Sequence, residues 1–286
     1  MTAMRRATVV GAAGFIGRHL CRHLQRQGFE VHEAARDERG WIDGPLGHVF
    51  YCAGLTADFA QRPHDTVDAH VSLLDRVLRP QRFHSLVYLS STRLYDGSLA
   101  EAAVEDAPLT LQPGQPRHLF DLSKALGEAL CHAAGGGRAR VARLSCVVRD
   151  ASDDSGFLPG LLRDVARAVD QAPSGRPPRL AVDATPFAVR DYVHLDDVLR
   201  ALVLIATRGT QPVYNVAGGR NLGNRELFAR LRELSGCEIV AARHQRVRPA
   251  PRIDISRMRQ EFSWQPACML DKLADLLPAQ ALPQPC

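Results

Sequence analysis

The sequence contains no long uninterrupted apolar run. Charged residues, glycine or proline interrupt every candidate before it reaches the roughly 18 to 20 residues that a membrane-spanning helix needs. The apolar run at the N-terminus is also too short for the core of a signal peptide. We therefore predict a cytoplasmic protein with no membrane segment, whose sequence starts as the mature chain.

Cysteine is sparse and scattered. The seven cysteines form no Cys-x-x-Cys pair and no cluster with histidine, which excludes the spacing of a structural metal site. Repeats and low-complexity tracts are absent, and the net charge of +5 is mild. Because the basic residues are not interleaved with aromatics, a nucleic-acid partner is not expected either. These absences favour reduced thiols, no metal and a small-molecule partner.

Strand-like and helix-like stretches alternate along the chain. In a chain of 286 residues, 45% of them hydrophobic, strands are predicted at 7–10, 30–34, 48–53, 85–90, 140–145 and 213–216. Helices are predicted at 18–27, 62–78, 122–134, 156–169, 195–206 and 224–234. This alternation predicts an α/β fold with a doubly wound parallel sheet and a smaller C-terminal substrate-binding region.

The predicted domain boundary lies where the composition changes, after Val148. A polar loop there precedes a helix and a stretch rich in proline and glycine. We predict a dinucleotide-binding domain over 1–147, joined again by about 190–217, and a substrate-binding region over 148–189 and 218–286. The proline-rich tail, 277–286, is expected to fray.

Three glycines follow the first strand and open the first helix. Gly11, Gly14 and Gly17 are spaced Gly-x-x-Gly-x-x-Gly, with Phe15 and Ile16 in the same turn. Glycines in this context let backbone N–H groups approach a pyrophosphate, which the helix dipole also favours. We predict a dinucleotide site here; the alternative is that the glycines only allow close packing of helix and sheet.

The end of the second strand selects the cofactor in dinucleotide proteins, because an acid there binds the ribose 2′-OH and an arginine pairs with a 2′-phosphate. Ala35 stands where the acid is expected, followed by Arg36 and, nearby, Arg39. This favours NADP over NAD. In the alternative, Arg36 is a solvated loop residue and Asp37 binds the ribose.

Several ordered segments resemble the extended short-chain dehydrogenase/reductase family, the group that includes UDP-galactose 4-epimerase. They are 50–54 (FYCAG), 88–95 (YLSSTRLY), 123–128 (SKALGE), 190–198 (RDYVHLDDV), 214–219 (YNVAGG), 253–257 (IDISR) and 262–266 (FSWQP). The resemblance covers nearly the whole chain. It implies that Ala53 and Gly54 lie against the dinucleotide.

The chemistry implied by the resemblance is hydride transfer at a carbinol carbon, with a Tyr as acid/base. Ser91 matches the hydroxyl that orients the substrate oxygen, and Lys124 matches the lysine that holds the nicotinamide ribose. Phe120 stands one helical turn before Lys124, where the family has its Tyr. Phenylalanine has no titratable proton, so the usual acid/base route is closed.

Three explanations of Phe120 remain open. The residue is an engineered change, or the proton comes instead from Ser91, Thr92, Tyr95, Lys124 or water, or the protein is a catalytically silent dinucleotide binder. Natural divergence is favoured by two other departures from the family pattern. Cys146 and the residues after it replace a usual Asn-Val-Tyr-Gly, and His70 stands where an Asn is frequent.

Candidate substrate contacts lie beside these residues. The resemblance implies that Arg190 reaches a diphosphate, and Arg248 belongs to a basic cluster with Arg243, Arg246 and Arg252. Thr92, Tyr95 and Cys146 are further candidates for the substrate pocket. For Tyr95 the alternative is a packed ring with a bonded hydroxyl.

The sequence therefore predicts an NAD(P)-dependent oxidoreductase or epimerase acting on a nucleotide sugar or a related carbohydrate precursor. A ketoreductase of a secondary-metabolite pathway and a silent NADP-binding sensor or scaffold are the alternatives. The resemblance also implies a homodimer, packed through the helices predicted at 62–78 and 122–134.

Overall fold

The computed structural model describes residues 5–35, 40–173 and 175–282. Its strands are β1 (Arg5–Val10), β2 (Phe29–Ala34), β3 (Gly47–Tyr51), β4 (Phe83–Ser91), β5 (Ala102–Ala103), β6 (Ala139–Leu144), β7 (Cys146–Val148), β8 (Arg179–Val182), β9 (Val189–His194), β10 (Val213–Val216), β11 (Asn221–Gly223), β12 (Glu238–Ala241) and β13 (Arg252–Ile253).

The helices are α1 (Phe15–Arg26), α2 (Pro63–Val67), α3 (Leu73–Leu78), α4 (His118–Ala134), α5 (Phe157–Asp170), α6 (Leu195–Arg208), α7 (Asn224–Ser235), α8 (Ser256–Phe262) and α9 (Met269–Leu276). A π-helical turn, Asp68–Ser72, joins α2 to α3 and makes them one continuous helical segment. In the part of the chain that the structure describes, no helix has both the length and the apolar character to cross a lipid bilayer.

Six parallel strands form the central sheet, in the order β10-β6-β4-β3-β1-β2. The predicted α/β fold is confirmed. Strand order reverses between β1 and β3, so a crevice opens at their carboxyl ends, where such sheets bind ligands. Nearly every side chain of β4 is buried, as a continuous apolar strand between two helical layers requires.

A second hydrophobic core lies under the smaller sheets. β11, β9 and β7 form a three-stranded sheet, and β12 pairs with β8. Leu158 and Leu162 of α5 pack in this core with Leu227 of α7 and Leu273 of α9. The segment predicted to rejoin the first domain at about 190–217 is divided, because β9 lies in the small sheet and β10 in the central one. The domain boundaries themselves stay a prediction.

Two local predictions were wrong. The tail packs at least as far as Leu282, since Leu277 is 5% exposed and Ala281 is fully buried among the residues of the second core; residues 283–286 lie outside the described ranges. The helix predicted from 122 begins at His118 instead. Phe120 and Asp121 are buried in its first turn, so tertiary packing extends the helix over residues whose pattern did not indicate it.

A buried ion pair joins α4 to the central sheet. Arg143 of β6 donates to both carboxylate oxygens of Glu128, at 2.6 to 3.2 Å, and both side chains are about 5% exposed. The Ser90 hydroxyl of β4 donates to the same carboxylate at 2.5 Å. Arg143 also donates to the Tyr95 hydroxyl, which donates to Asn215 Oδ1 of β10. The network therefore fixes α4 against β6 and against β4, the strand that ends at Ser91.

We expect Glu128→Gln to destabilise the protein by about 3 to 5 kcal/mol, because Arg143 is left buried without a counter-charge. Chemical denaturation measures the change in the free energy of unfolding. Glu30→Gln is the control, since Glu30 pairs with Arg6 at an exposed position and should lose less than about 1 kcal/mol. Similar small losses in both variants would contradict the structural role of the buried pair.

Candidate functional site

The glycine turn connects β1 to α1 at the point where the strand order reverses. Gly11 has φ +83°, and its carbonyl accepts a hydrogen bond from the Gly14 N–H at 3.1 Å. A Cβ at Gly17 would stand 2.2 Å from that carbonyl oxygen. The turn is therefore as tight as backbone contact allows, and it leaves the N-terminus of α1 facing the crevice.

A cavity of about 620 Å³ opens behind this turn and is called here the glycine-turn cavity. Gly11 and Gly14 form one wall, and Ala53 and Gly54, which follow β3, form another. Ala35, Trp41, Ile42 and Arg76 also line it. Beside the glycine turn the wall is backbone and small side chains at a helix N-terminus, which fits a pyrophosphate, and the carboxylates of Glu33, Asp65 and Asp68 line the rest of the cavity.

The other predicted cofactor residues are placed differently. Phe15 and Ile16 open α1, and their side chains pack against the main hydrophobic core rather than lining the cavity. Arg36 lies outside the described residues, together with Asp37 and Arg39. The choice between NADP and NAD therefore stays a prediction.

Ser91 is the last residue of β4, at the carboxyl edge of the sheet. Its Oγ accepts a hydrogen bond from the Arg93 N–H at 3.2 Å and caps the short 3-10 helix Thr92–Tyr95. Because this contact uses an oxygen lone pair, the hydroxyl hydrogen of Ser91 remains a donor for another group.

Lys124 lies inside α4, with 5% of its surface exposed. Its Nζ donates to the Leu89 carbonyl at 2.8 Å and lies 4.9 Å from the centre of the Tyr88 ring. Burial lowers its pKa to about 7, since the charged ammonium loses its hydration. The side chain therefore changes charge near neutral pH.

Phe120 lies one helical turn before Lys124 and is 2% exposed. Its ring centre is 5.5 Å from that of Phe59 and 5.5 Å from that of His70. The Arg93 guanidinium covers the ring, with Cζ 4.5 Å from its centre. Aromatic and cationic groups thus surround the Phe120 ring.

His70 connects the glycine-turn cavity to α4. Its Nε2 accepts from the Leu55 N–H at 3.2 Å, and its Nδ1 lies 2.8 Å from Ser123 Oγ. Burial, together with the nearby charge of Lys124, lowers the pKa of His70 to about 3, so the ring is neutral and Nδ1 carries the proton. A Cβ on Gly54 would stand 2.8 Å from Nε2 and 3.2 Å from Lys124 Nζ.

A second cavity, of about 570 Å³, is lined by Arg93, whose guanidinium covers Phe120, and is called here the arginine cavity. It brings together four predicted substrate residues: Thr92, Cys146, Arg190 and Arg248. Asp96, Arg117, Asp191 and Arg93 also line it. Arginine is thus the commonest charged residue of its wall, which suits an anionic ligand.

Tyr95 is not in this cavity, and its prediction as a substrate contact is replaced by the packed alternative. The ring is 1% exposed, and both hydrogen-bonding capacities of its hydroxyl are used by Arg143 and Asn215. The cause is the 3-10 turn after Ser91, which directs Tyr95 into the core. Local sequence alone does not show this direction.

The four arginines of the predicted basic cluster have different surroundings in the structure. Arg248 lines the arginine cavity and donates to the Ser98 carbonyl at 2.6 Å. Arg243 pairs with Asp183, and Arg252 lies 3.6 Å from Asp254. Arg246 lies 6.0 Å from the Phe187 ring.

Sequence reasoning missed Arg93 and Phe59 as parts of the site. Arg93 lies within the segment 88–95, but no local signal shows that its side chain folds over Phe120. Phe59 lies in the loop before α2, where spacing carries no information about tertiary neighbours. The placement of Asp121 beside Arg93, at 3.9 Å, depends likewise on the early start of α4.

Comparisons with known proteins agree with this geometry. Residues 7–217 match the profile of the NAD dependent epimerase/dehydratase family. A dTDP-glucose 4,6-dehydratase of Streptomyces griseus is 28% identical over 91% of this chain and 88% of its own. RMD from Pseudomonas aeruginosa, solved with NADPH, has a TM-score of 0.74 at 24% identity, covering 96% of this chain and 98% of RMD. MoeE5, solved with UDP-glucuronic acid and NAD, has a TM-score of 0.71 at 21% identity, covering 95% and 97%.

Gly17→Ala tests the turn. We expect it to weaken NADPH and NADH binding at least tenfold, because the new Cβ collides with the Gly11 carbonyl and must displace the turn. Isothermal titration gives the affinities, and thermal melting reports folding. Gly114→Ala is the control, since nothing lies within 4 Å of a Cβ there. Unchanged affinity in Gly17→Ala would show that the turn does not bind the dinucleotide.

The lowered pKa of Lys124 predicts that the stability of the protein depends on pH. Between its folded pKa of about 7 and its ordinary value of 10.5, the unfolded chain binds a proton that the folded protein does not. Stability therefore rises with pH in this window, by at most about 1.4 kcal/mol per unit. We expect Lys124→Met to remove this rise.

The measurement is the free energy of unfolding in urea at several pH values from 7 to 9.5. The control is Lys272→Met, because Lys272 is exposed and pairs with Asp275; its curve should keep the slope of the unsubstituted protein. An identical slope after Lys124→Met would mean that the buried amine does not titrate in this range.

Proposed function

Because the chain belongs to the NAD dependent epimerase/dehydratase family, we propose that it is an NAD(P)-dependent enzyme that modifies a nucleotide sugar. One observation carries this proposal: neighbours of Ser91, Phe120 and Lys124 line two cavities of different character. Gly54 lines the glycine-turn cavity and lies against Lys124, whereas Arg93 lines the arginine cavity and covers Phe120. A dinucleotide in one cavity and a sugar in the other would meet at these residues.

The substrate class is supported by the charge of the arginine cavity and by the relatives. Arg190 and Arg248 can make charge-assisted hydrogen bonds to a diphosphate. The dehydratase from Streptomyces griseus acts, by its name, on a dTDP-sugar, and MoeE5 binds a UDP-sugar. Thr92 and Cys146 are proposed to contact the sugar.

The residues that would hold the cofactor are those of the glycine turn. Gly11, Gly14, Gly17 and the first residues of α1 would bind the pyrophosphate, with Ala53 and Gly54 against the ribose and nicotinamide. We favour NADP, because Ala35 stands directly after β2, where an acid would otherwise bind the ribose 2′-OH; the β2 carboxylate that lines the cavity, Glu33, lies within the strand, two residues earlier. RMD binds NADPH and MoeE5 binds NAD, so both cofactors occur among similar folds. When bound, the nicotinamide supplies hydride transfer.

The protein's own residues act on the substrate oxygen. The free hydroxyl hydrogen of Ser91 orients that oxygen, and Lys124 holds the nicotinamide ribose through the N–H groups that Leu89 does not use. Phe120 offers no proton, so the proton must move through Ser91 and water in the arginine cavity. We propose that Phe120 is a natural residue of the protein and not an engineered change, since its ring packs against Phe59 and under the Arg93 guanidinium.

A second function, a catalytically silent NADP-binding sensor, is favoured by one observation. Phe120 is sealed under a guanidinium and is 2% exposed, so nothing at this position can exchange a proton with a substrate. Tight dinucleotide binding without turnover is the property that would distinguish a sensor.

We also propose a homodimer through α2, α3 and α4. Val67 and Leu126 are large apolar side chains on these helices and are 39% and 50% exposed. Burying them against a second copy would remove apolar surface from water. Sedimentation of the purified protein gives its oligomeric state.

The test of the proposed function compares turnover of a panel of nucleotide sugars, with NADPH and with NADH, by the protein and its variants. We expect turnover by the protein itself and a loss of about 100-fold in kcat for Ser91→Ala, which removes a donor to the substrate oxygen. Dinucleotide affinity should stay unchanged in that variant. Ser155→Ala, in the loop before α5, is the matched control.

Phe120→Tyr distinguishes the alternatives. Turnover that appears only in this variant would contradict the proposed proton route and identify a silenced enzyme of the usual family mechanism. Dinucleotide binding without turnover in either form would favour the sensor. Absence of dinucleotide binding in both would overturn the proposal entirely.

A further inference from the structure

Arg93 carries a guanidinium that is held in place without being hydrogen-bonded. Its Cζ lies 4.5 Å from the Phe120 ring centre and 5.4 Å from that of Phe59. Its Nε is 3.9 Å from Asp121 Oδ1, which is beyond hydrogen-bond distance. Across the described ranges, no side chain accepts a hydrogen bond from this guanidinium. A planar cation fixed on two rings keeps its N–H fork available to a ligand.

Two other arginines of the arginine cavity each already donate one hydrogen bond. Arg117 donates to Asp96 at 3.1 Å, and Arg248 donates to the Ser98 carbonyl at 2.6 Å. Both oxygens of Asp191 accept backbone N–H groups, from Gly218 and Arg220. Arg93 and Arg190 are thus the cations whose donors remain most available in this cavity.

Asp121 does not neutralise Arg93 fully. Its side chain is 2% exposed and lies 3.9 Å from both Arg93 and Arg117. Burial raises its pKa, and the charges of Arg93 and Arg117 oppose this rise. Its Oδ1 has no hydrogen-bond partner among the described residues. The single carboxylate of Asp121 is therefore shared, at long distance, between two guanidinium groups.

The positions of the arginines indicate that they bind two different anionic groups of the ligand. Arg190 and Arg248 come from β9 and from the segment before β13, and they serve the diphosphate in the proposed function. Arg93 lies beside the proposed reacting residues, where the sugar itself must bind. An anion at this position has to belong to the sugar, and a carboxylate is the sugar substituent whose two oxygens match a guanidinium fork.

We infer that the substrate is a nucleotide-linked uronic acid whose carboxylate Arg93 binds in a bidentate pair. The inference rests on the proposed function and adds the class of sugar. It also gives a role to the rings of Phe59 and Phe120, which hold Arg93 in the orientation that the carboxylate needs.

The experiment measures binding of matched pairs that differ only at the sugar carboxylate. UDP-glucuronic acid and UDP-glucose, and the corresponding dTDP-sugars, are titrated calorimetrically into the full chain saturated with NADP⁺. We expect the unsubstituted protein to bind a uronic acid about 10 to 100 times more tightly than its neutral partner, as for a charge-assisted pair.

Variants assign the preference to Arg93. Arg93→Gln should abolish it by weakening uronic acid binding while changing neutral sugar affinity by less than about threefold. Arg93→Lys keeps the charge without the fork and should retain part of it. Arg208→Gln is the control, because Arg208 also stacks on a phenylalanine, Phe262, at 5.9 Å, but lies outside the arginine cavity. NADP⁺ affinity and melting temperature confirm that each variant is folded.

The possible failures are distinguishable. Equal affinities for uronic acid and neutral sugar in the unsubstituted protein would overturn the inference and leave the proposed function standing. A preference that survives in Arg93→Gln would also overturn it, since another residue would then bind the carboxylate. No binding of any nucleotide sugar would overturn both the substrate class of the proposed function and the inference built on it.

Discussion

The buried pair of Arg143 and Glu128 is the interaction on which the candidate site depends. It joins α4 to β6 and, through Ser90, to β4, so it fixes the spacing between Ser91 on the sheet and Phe120 and Lys124 on the helix. Taking two charges out of water is unfavourable unless their remaining hydrogen-bonding groups are satisfied. Here Ser90, Tyr95 and the Glu105 carbonyl complete the set.

The ion pair holds α4 near two cavities, the glycine-turn cavity and the arginine cavity, whose electrostatic environments differ. On one side, the N-terminus of α1 and the glycine turn offer backbone N–H groups to a phosphate. On the other side, arginine side chains line the cavity. Between them, Lys124 and His70 are buried deeply enough to have lowered pKa values. Cationic side chains therefore predominate in the wall of the arginine cavity, whereas the charged side chains of the glycine-turn cavity are three carboxylates and Arg76.

The fold was largely predictable because its signals are local and periodic. Alternating strands and helices gave the central sheet, and the glycine spacing located the turn after β1. The errors arose where tertiary packing decides. Leu277 and Ala281 gave no sign that they would complete a second core, and Tyr95 turned inward because Arg143 and Asn215 complete its hydrogen bonds. Arg93 was overlooked because its neighbours, Phe59 and Asp121, are distant in sequence.

By itself, the sequence determined the α/β class, the position of the glycine turn and the absence of a phenol at position 120. These properties follow from backbone sterics, hydrophobic periodicity and residue identity, which need no knowledge of distant neighbours. Only the tertiary structure decided that Thr92, Cys146, Arg190 and Arg248 share one cavity, and that Arg93 covers Phe120 with its donors available. The reason is physical: burial, pKa and the direction of a long side chain depend on which elements pack together, and that is a property of the folded chain.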